Sequence, residues 1–152
     1  MNPSPDEEGR GRANDVRVIE VDIPNDVRHI ERVVELVRRE CQVMRFAARQ
    51  VMLNVPVALT EALSNAILRG NGDDPRKHVF VRATVDRRQL VVEVVDQGGG
   101  FDIDACTLDP TTADNVDRED GRGLFLMRNL MDRVERYEAD SGNVVRLTLR
   151  KE

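Results

Sequence analysis

The chain has few of the residues that build disulfide frameworks, metal centres or nucleophilic active sites. Among its 152 residues are two cysteines, two histidines, one tyrosine and no tryptophan. Two cysteines are too few for a disulfide framework, so we expect Cys41 and Cys106 to be reduced thiols in a cytoplasmic protein. His29 and His78 have no cysteine, serine or carboxylate spaced to join them, which disfavours a metal-dependent or nucleophile-based hydrolase.

Long apolar runs and a surplus of positive charge are also missing. No apolar run in the sequence suggests a bilayer-spanning segment, and residues 1–13 lack the apolar stretch of a signal peptide. The chain has 23 Lys and Arg against 28 Asp and Glu, a formal net charge of -5. A nucleic-acid binder needs a basic face that displaces counterions. The composition therefore predicts a soluble protein with no membrane and no direct nucleic-acid partner.

The length predicts one domain after a short tail. A chain of 152 residues can bury roughly two-thirds of the surface that it exposes when unfolded, so no disulfide or metal is needed for stability. Residues 1–13 are rich in proline, glycine and charge, and we expect them to be a disordered tail. Residues 14–152 are then expected to form a single domain.

Two kinds of periodicity predict the elements of this domain. Period-two patterns predict strands at 16–23, 78–85 and 90–96 and a closing hairpin of 137–140 with 143–150. Helical spacing predicts helices from Asn25, up to Gly70 and over 121–134. Pro56 suits the first turn of the second helix, and a kinked, longer helix from near residue 48 is the alternative. The order β-α-α-β-β-α-β-β favours an α+β, two-layer sandwich: a mixed, mostly antiparallel sheet with helices on one face.

The segment LTEALSNAILRGN, residues 59–71, places two polar residues on one stripe of an otherwise apolar helix. Glu61 and Asn65 are one turn apart, opposite Leu59 and Leu63. One interpretation is that this stripe faces water. The other is that it lines a cavity, since its neighbours are apolar and it has only two polar groups. There the carboxylate could accept a proton or orient water, and the amide oxygen could bind Mg²⁺.

A glycine-rich loop follows the predicted strand 90–96 in the stretch VEVVDQGGGFD. The glycines let the backbone turn sharply and approach a ligand closely. A wide hairpin or strand-exit loop would explain them equally well. Asp96, however, is the first residue past the apolar run. At the mouth of a pocket its carboxylate could accept a hydrogen bond from an exocyclic amine such as that of adenine.

A third stretch, DGRGLFLM, has glycines at 121 and 123 immediately before a predicted helix. Free backbone N–H groups at a helix start, together with the helix dipole, favour an anion such as phosphate. Glycines before helices also serve as plain loop exits, so this pattern alone is weak.

Taken together and in this order, the three stretches resemble the N, G1 and G2 boxes of the Bergerat-type (GHKL) ATPases. That superfamily includes gyrase and the histidine kinases. The chain lacks the phosphoacceptor-histidine helix of a histidine kinase, and about twenty residues separate its second and third boxes. It is most similar to the anti-sigma-factor serine kinases of bacterial partner switches, in LTEALSNAILRGN and in GRGLFLMRNLMD. The resemblance covers roughly residues 16–150.

The resemblance implies a role for each matching residue. Glu61 would activate the attacking serine hydroxyl or water, Asn65 would bind Mg²⁺, and Asp96 would contact the adenine amine. The remaining ATP-binding positions would be Gly98, Gly100, Gly121, Arg122, Gly123 and Leu124. Arg69, which stands where many members of the family have histidine, and Arg122 would add positive charge near the γ-phosphate. The extra glycine, Gly99, is a second departure.

As a function, the resemblance implies an ATP- and Mg²⁺-dependent serine/threonine kinase that is also an anti-sigma factor. It would phosphorylate an anti-anti-sigma antagonist with a STAS domain, sequester a sigma factor or similar output protein, and form a homodimer. The alternative is a nucleotide-binding clamp that sequesters its partner without kinase activity. An intact Glu61 separates the two only weakly, because a site that binds ATP can still be slow.

Overall fold

The computed structural model describes residues 15–98, 119–139 and 142–152. Its first half has a strand, a single 3-10 turn at Val27–His29 and two helices. In chain order the elements are β1 (Arg17–Pro24), α1 (Ile30–Val43), α2 (Gln50–Gly70), β2 (His78–Val85), β3 (Gln89–Asp96), α3 (Glu119–Leu130), β4 (Arg133–Ala139) and β5 (Gly142–Arg150). The predicted order of strands and helices is confirmed. The expected N-terminal tail, Cys106 and the segment between Gly98 and Glu119 lie outside the described residues.

The five strands form one sheet in the order β1-β2-β3-β5-β4. All four pairings in the described part of the chain are antiparallel, so the mostly antiparallel sheet is confirmed. Because β3 pairs with β5, Asp96 at the end of β3 lies directly opposite Asn143 near the start of β5. This register brings residues from distant parts of the sequence together where β3 ends and β5 begins.

The hydrophobic core lies between the sheet and the helices, which cover one sheet face. Alternate residues of β2 and β3 point into it and are buried, whereas their neighbours on the outer face are more exposed. Helix α1 contributes an apolar stripe that includes Val33, Val37 and Cys41. Burial raises the pKa of the Cys41 thiol to about 12, so this free cysteine stays protonated and unreactive at neutral pH. The two-layer α+β sandwich is therefore confirmed.

Helix α2 takes the longer, irregular form of the two alternatives. Residues Gln50–Asn54 form a π-helical turn ahead of Pro56, which lies in the first turn of the regular α-helix Val55–Asn65. Proline lacks the N–H that a regular helix would use, so a wider turn before it is physically reasonable. A second π turn, Ala66–Gly70, ends the helix.

By length and composition α2 could cross a bilayer, contrary to the expectation from the sequence. Its most apolar window has a mean hydropathy of 1.4, and 44% of that window is buried inside the protein. Leu59, Leu63 and Ile67 are fully buried in the core. A buried core helix can be as long and as apolar as a membrane span, and this packing identifies α2 as the central core helix of the sandwich.

The third helix begins earlier and ends earlier than predicted. It starts at Glu119, so the two glycines lie within its first turns, and it ends at Leu130, where the predicted helix continued to Val134. The Asn54 side chain donates to the Leu130 carbonyl at 2.7 Å, and Val134 pairs with Leu147 in the sheet. The apolar residues near the helix end fit both a helix and a strand, and tertiary pairing decided between them.

Candidate functional site

The polar stripe of α2 faces helix α3 at a glycine. A Cβ atom added to Gly123 would lie 2.7 Å from Oε2 of Glu61 and 3.3 Å from Nδ2 of Asn65. Glu61 and Asn65 are partly buried, and Gly123 is buried. The stripe therefore does not simply face water, and the absence of a side chain at 123 is what allows α3 to approach this carboxylate and carboxamide.

A second cluster lies at the C-terminal end of α2. A Cβ added to Gly70 would overlap the carboxylate of Asp96, and one added to Gly98 would overlap the carbonyl oxygen of Gly70. Asp96 is 7% exposed, on the sheet face that the helices cover. The two glycines thus bring the end of β3 and the end of α2 into backbone contact around one buried carboxylate.

The Asp96 carboxylate accepts two hydrogen bonds at its Oδ1 atom. The backbone N–H of Gly98 donates at 3.0 Å and Nδ2 of Asn143 donates at 3.3 Å. Burial raises the pKa of Asp96, while the Asn143 and Gly98 hydrogen bonds and the charges of Arg136 and Lys77 act in the opposite direction. The site holds a desolvated acceptor, as recognition of an amine donor requires.

The loop after Asp96 is also held from the side of α2, by a buried carboxamide that follows the last residue of this helix. Asn71 accepts a hydrogen bond from the Gln97 N–H at 2.7 Å and donates to Oδ1 of Asn25 and to the His78 carbonyl, each at 2.9 Å. Asn25 in turn donates to the Ile67 carbonyl at 3.2 Å. Asn71 is 1% exposed, so it is a structural anchor rather than a surface turn residue.

The two clusters occupy successive parts of one helix. Glu61 and Asn65 lie in its regular α-helical part, whereas Gly70 is its last residue. At about 1.5 Å of rise per residue, the separations along the axis are roughly 8 Å from Asn65 and 13 Å from Glu61 to Gly70. Such a spacing suits an elongated ligand with a base at one end and phosphates at the other.

The other predicted ligand residues are placed less directly. Leu124 is 4% exposed and belongs to the core, so only its backbone remains for a ligand. Arg69 is exposed at the end of α2. Gly121 lies in the first turn of α3, where N–H groups lack intrahelical partners. The side chain of Arg122 and the whole of Gly100 lie outside the described residues.

One prediction about the histidines is corrected by the sheet. Nδ1 of His78 lies 2.7 Å from Oδ1 of Asp22, although the sequence suggested no carboxylate partner. The two residues are 56 positions apart and meet only because β1 pairs with β2. Both side chains are about half exposed.

Asn65 has the donor chemistry that Mg²⁺ accepts, an amide oxygen, and it lies one turn from the Glu61 carboxylate on the same helical stripe. Within the described ranges, no group of three or more His, Cys, Asp or Glu residues could hold a metal ion alone. Magnesium commonly binds through one or two protein oxygens together with substrate phosphates and water. The residues therefore fit a metal that arrives with a nucleotide.

The chain belongs to the family of histidine kinase-like ATPase domains, whose model matches residues 23–149. Within that class it is similar to serine-protein kinases RsbW: 37% identical over 100 residues to that of Bacillus velezensis and 36% over 100 residues to that of Bacillus subtilis. These matches cover 62% of this chain and 62% of each relative. An anti-sigma F factor of Clostridium acetobutylicum is 28% identical over 99 residues, which cover 64% of this chain and 68% of the relative.

Proposed function

We propose that the chain is an ATP-dependent serine kinase that also acts as an anti-sigma factor in a cytoplasmic partner switch. Its substrate is an antagonist with a STAS domain, and its other client is a sigma factor or a similar output protein. The observation that carries the proposal is the contact of Gly123 with Glu61 and Asn65, because it joins two of the three sequence boxes in one site. The similarity to proteins named serine-protein kinase and anti-sigma F factor supports the same assignment.

In this proposal the cluster at the C-terminal end of α2 binds the base, and the cluster around Glu61 and Asn65 binds the phosphates. Asp96 accepts a hydrogen bond from the exocyclic amine of adenine, while Gly70 and Gly98 let the ends of α2 and β3 pack closely around this carboxylate. Asn65 would supply an amide oxygen to Mg²⁺, and the bound metal would neutralise charge on the phosphates. Gly121 and Gly123 place the first turns of α3 near the phosphates, with Gly100, Arg122 and the Leu124 backbone as further contacts. Arg69 adds positive charge at the exposed end of α2.

Glu61 is the general base of the proposed transfer. The serine hydroxyl oxygen of the antagonist forms a bond to the γ-phosphorus, its proton passes to the Glu61 carboxylate, and ADP leaves with the electrons of the broken bond. Positioning matters more than side-chain basicity in phosphoryl transfer. The lack of a side chain at Gly123 leaves the Glu61 carboxylate in place, since a Cβ there would come within 2.7 Å of it.

Charge repulsion would favour release of the antagonist once it is phosphorylated. A phosphoserine carries close to two negative charges at neutral pH, and this chain has a formal net charge of -5. Repulsion and desolvation then weaken the docking of the phosphorylated antagonist. The kinase is released to hold its other partner.

A homodimer is part of the proposal. Strand β1 is at the edge of the sheet; Val18 on this strand is 51% exposed, and Val16 immediately before it is 52% exposed. An exposed apolar edge favours pairing with a second chain. Sedimentation or light scattering at several concentrations measures this directly: a dimer mass supports the assembly, and a monomer mass at all concentrations contradicts it.

The kinase assignment is tested by incubating the chain with Mg-ATP and its cognate STAS-domain antagonist, then measuring the mass of the antagonist. The expected result is one added phosphate on a serine. An unchanged mass, with nucleotide bound to the chain, would instead favour the clamp without kinase activity.

A further inference from the structure

The residue that faces Asp96 across the sheet is a buried carboxamide. Asn143 is 5% exposed, and its Nδ2 donates to Oδ1 of Asp96 at 3.3 Å and to the carbonyl oxygen of Gly98 at 3.2 Å. One amide group therefore touches both ends of the three-residue segment Asp96–Gly98, which we call the hinge. The Asn143 amide thus fixes the position of the Asp96 side chain relative to the Gly98 carbonyl.

The backbone at the start of β5 is built for this close approach. Gly142 has φ of +139°. A Cβ added there would overlap the carbonyl oxygen of Asp96. Only glycine accommodates both that dihedral angle and that contact. Residue 142 thus allows its neighbour Asn143 to reach the carboxylate.

The opposite side of the hinge is immobilised independently. Asn71 accepts from the Gln97 N–H at 2.7 Å, and Oε1 of Gln97 accepts from the His78 N–H, also at 2.7 Å. These contacts fix the backbone of the hinge. The orientation and the protonation state of the Asp96 side chain can still vary. Asn143 acts on both, because an N–H donor stabilises the ionised carboxylate.

We propose that Asn143 is a positioning residue for nucleotide recognition, which keeps Asp96 ionised and oriented as the acceptor for the adenine amine. The inference rests on the proposed function, in which Asp96 contacts adenine. Sequence reasoning did not find Asn143, since it lies in the closing hairpin 47 positions from Asp96.

The test is the pH dependence of ADP affinity in Asn143→Asp. A second carboxyl beside Asp96 shares a proton with it at low pH and repels it when both are ionised. At pH 8 we expect ADP to bind about tenfold more weakly than to the wild type. Near pH 5.5 the ratio of the two dissociation constants should approach one, because the carboxyl introduced at position 143 is then protonated and again donates to Asp96. The neighbouring charges of Lys77, Arg136 and Glu138 are the same in both proteins.

Asn143→Ala covers the case in which the aspartate variant does not fold at pH 8. Without the amide donor, the carboxylate at 96 is less stabilised, so the acidic limb of the ADP affinity profile should move to higher pH than in the wild type. Gln50→Glu is the matched control, since Gln50 is a carboxamide with 1% exposure at the opposite end of α2. It should leave the shape of the profile unchanged.

The outcomes distinguish a failure of the proposed function from a failure of the positioning role of Asn143. A wild-type chain that binds no ADP removes the proposed function itself. A wild type that binds ADP, with Asn143 variants whose affinity follows the wild-type profile or is reduced equally at every pH, overturns the positioning role and leaves the proposed function standing.

Discussion

Gly123 of α3 lies against Glu61 of α2 so closely that a Cβ at position 123 would come within 2.7 Å of the carboxylate oxygen. The two residues are 62 positions apart in the sequence. Their proximity turns two separate sequence patterns into one site. It also means that the site is sensitive to a single added methyl group.

Gly123→Ala should separate activity from stability. The new methyl group must displace the Glu61 carboxylate, so phosphate transfer should fall at least tenfold. Alanine is favoured over glycine inside a helix by about 1 kcal/mol, so the melting temperature should not fall by much. Gly72→Ala is the comparison: Gly72 has φ of +61° and open space around its Cβ position, so this variant should lose stability and keep its transfer rate. Equal transfer rates for Gly123→Ala and the wild type would contradict the site.

Glu61→Ala should abolish phosphate transfer, by roughly a hundredfold or more, and leave nucleotide affinity largely intact. The reason is that a general base acts on the serine proton rather than on the bound nucleotide. Transfer is followed by mass measurement of the antagonist, and affinity by calorimetry. Glu31→Ala, at an exposed position on α1, is the control for loss of one negative charge. Transfer at the wild-type rate would remove Glu61 from the mechanism.

Asp96→Asn should stabilise the protein while weakening nucleotide binding. Burial raises the pKa of Asp96 above its ordinary value of 3.8, so folding favours the protonated carboxyl. Its contribution to stability is fully present below that ordinary value and is lost as the pH rises through the raised pKa. Near pH 7 the ionised group therefore lowers stability, and asparagine, which stays neutral, should melt at a higher temperature.

Thermal melts of both proteins between pH 4 and pH 8 check this sign. The advantage of Asp96→Asn should shrink toward pH 4, where the aspartate itself becomes protonated. A variant that melts below the wild type at pH 7, or a gap that grows as the pH falls, would show that the carboxylate is stabilised in the fold.

Asn71→Ala should destabilise the fold by roughly 2 kcal/mol or more. The change leaves the Gln97 N–H and the oxygens of Asn25 and His78 without their partner in a buried place. Denaturant unfolding measures the loss. Asn129→Ala, at an exposed position on α3, should change stability by no more than about 0.5 kcal/mol. A similarly small effect at position 71 would mean that the network around the hinge relaxes or takes up water.

Local sequence patterns were enough to predict the helices, the strands and the individual motifs. The pairing of Glu61 with Asn65 follows from helical spacing alone, and the place of Asp96 follows from an apolar strand that ends in a glycine loop. The boundary of α3 was wrong because Val134 suits a helix and a strand equally, and only pairing with Leu147 decides.

What sequence could not supply were the contacts made by strand register. Asn143 reaches Asp96, and Asp22 reaches His78, through pairings between segments 47 and 56 positions apart. Asn71 begins the stretch NGDDPRK, whose residue types are typical of a surface turn. Asn71 is buried because α2, β2 and the hinge pack against one another around it. This packing cannot be predicted from a local sequence pattern.

The central claim is that one pocket along α2 binds a purine nucleotide through its metal. Calorimetric and thermal-shift titrations with Mg-ADP and Mg-ATP test it most directly, with Asn65→Ala as the variant. Ligand at a hundred times its dissociation constant should raise the unfolding free energy by about 2.7 kcal/mol, and Asn65→Ala should lose most of the magnesium-dependent part. Saturating nucleotide that releases no heat and leaves the melting temperature of the wild type unchanged would contradict the account.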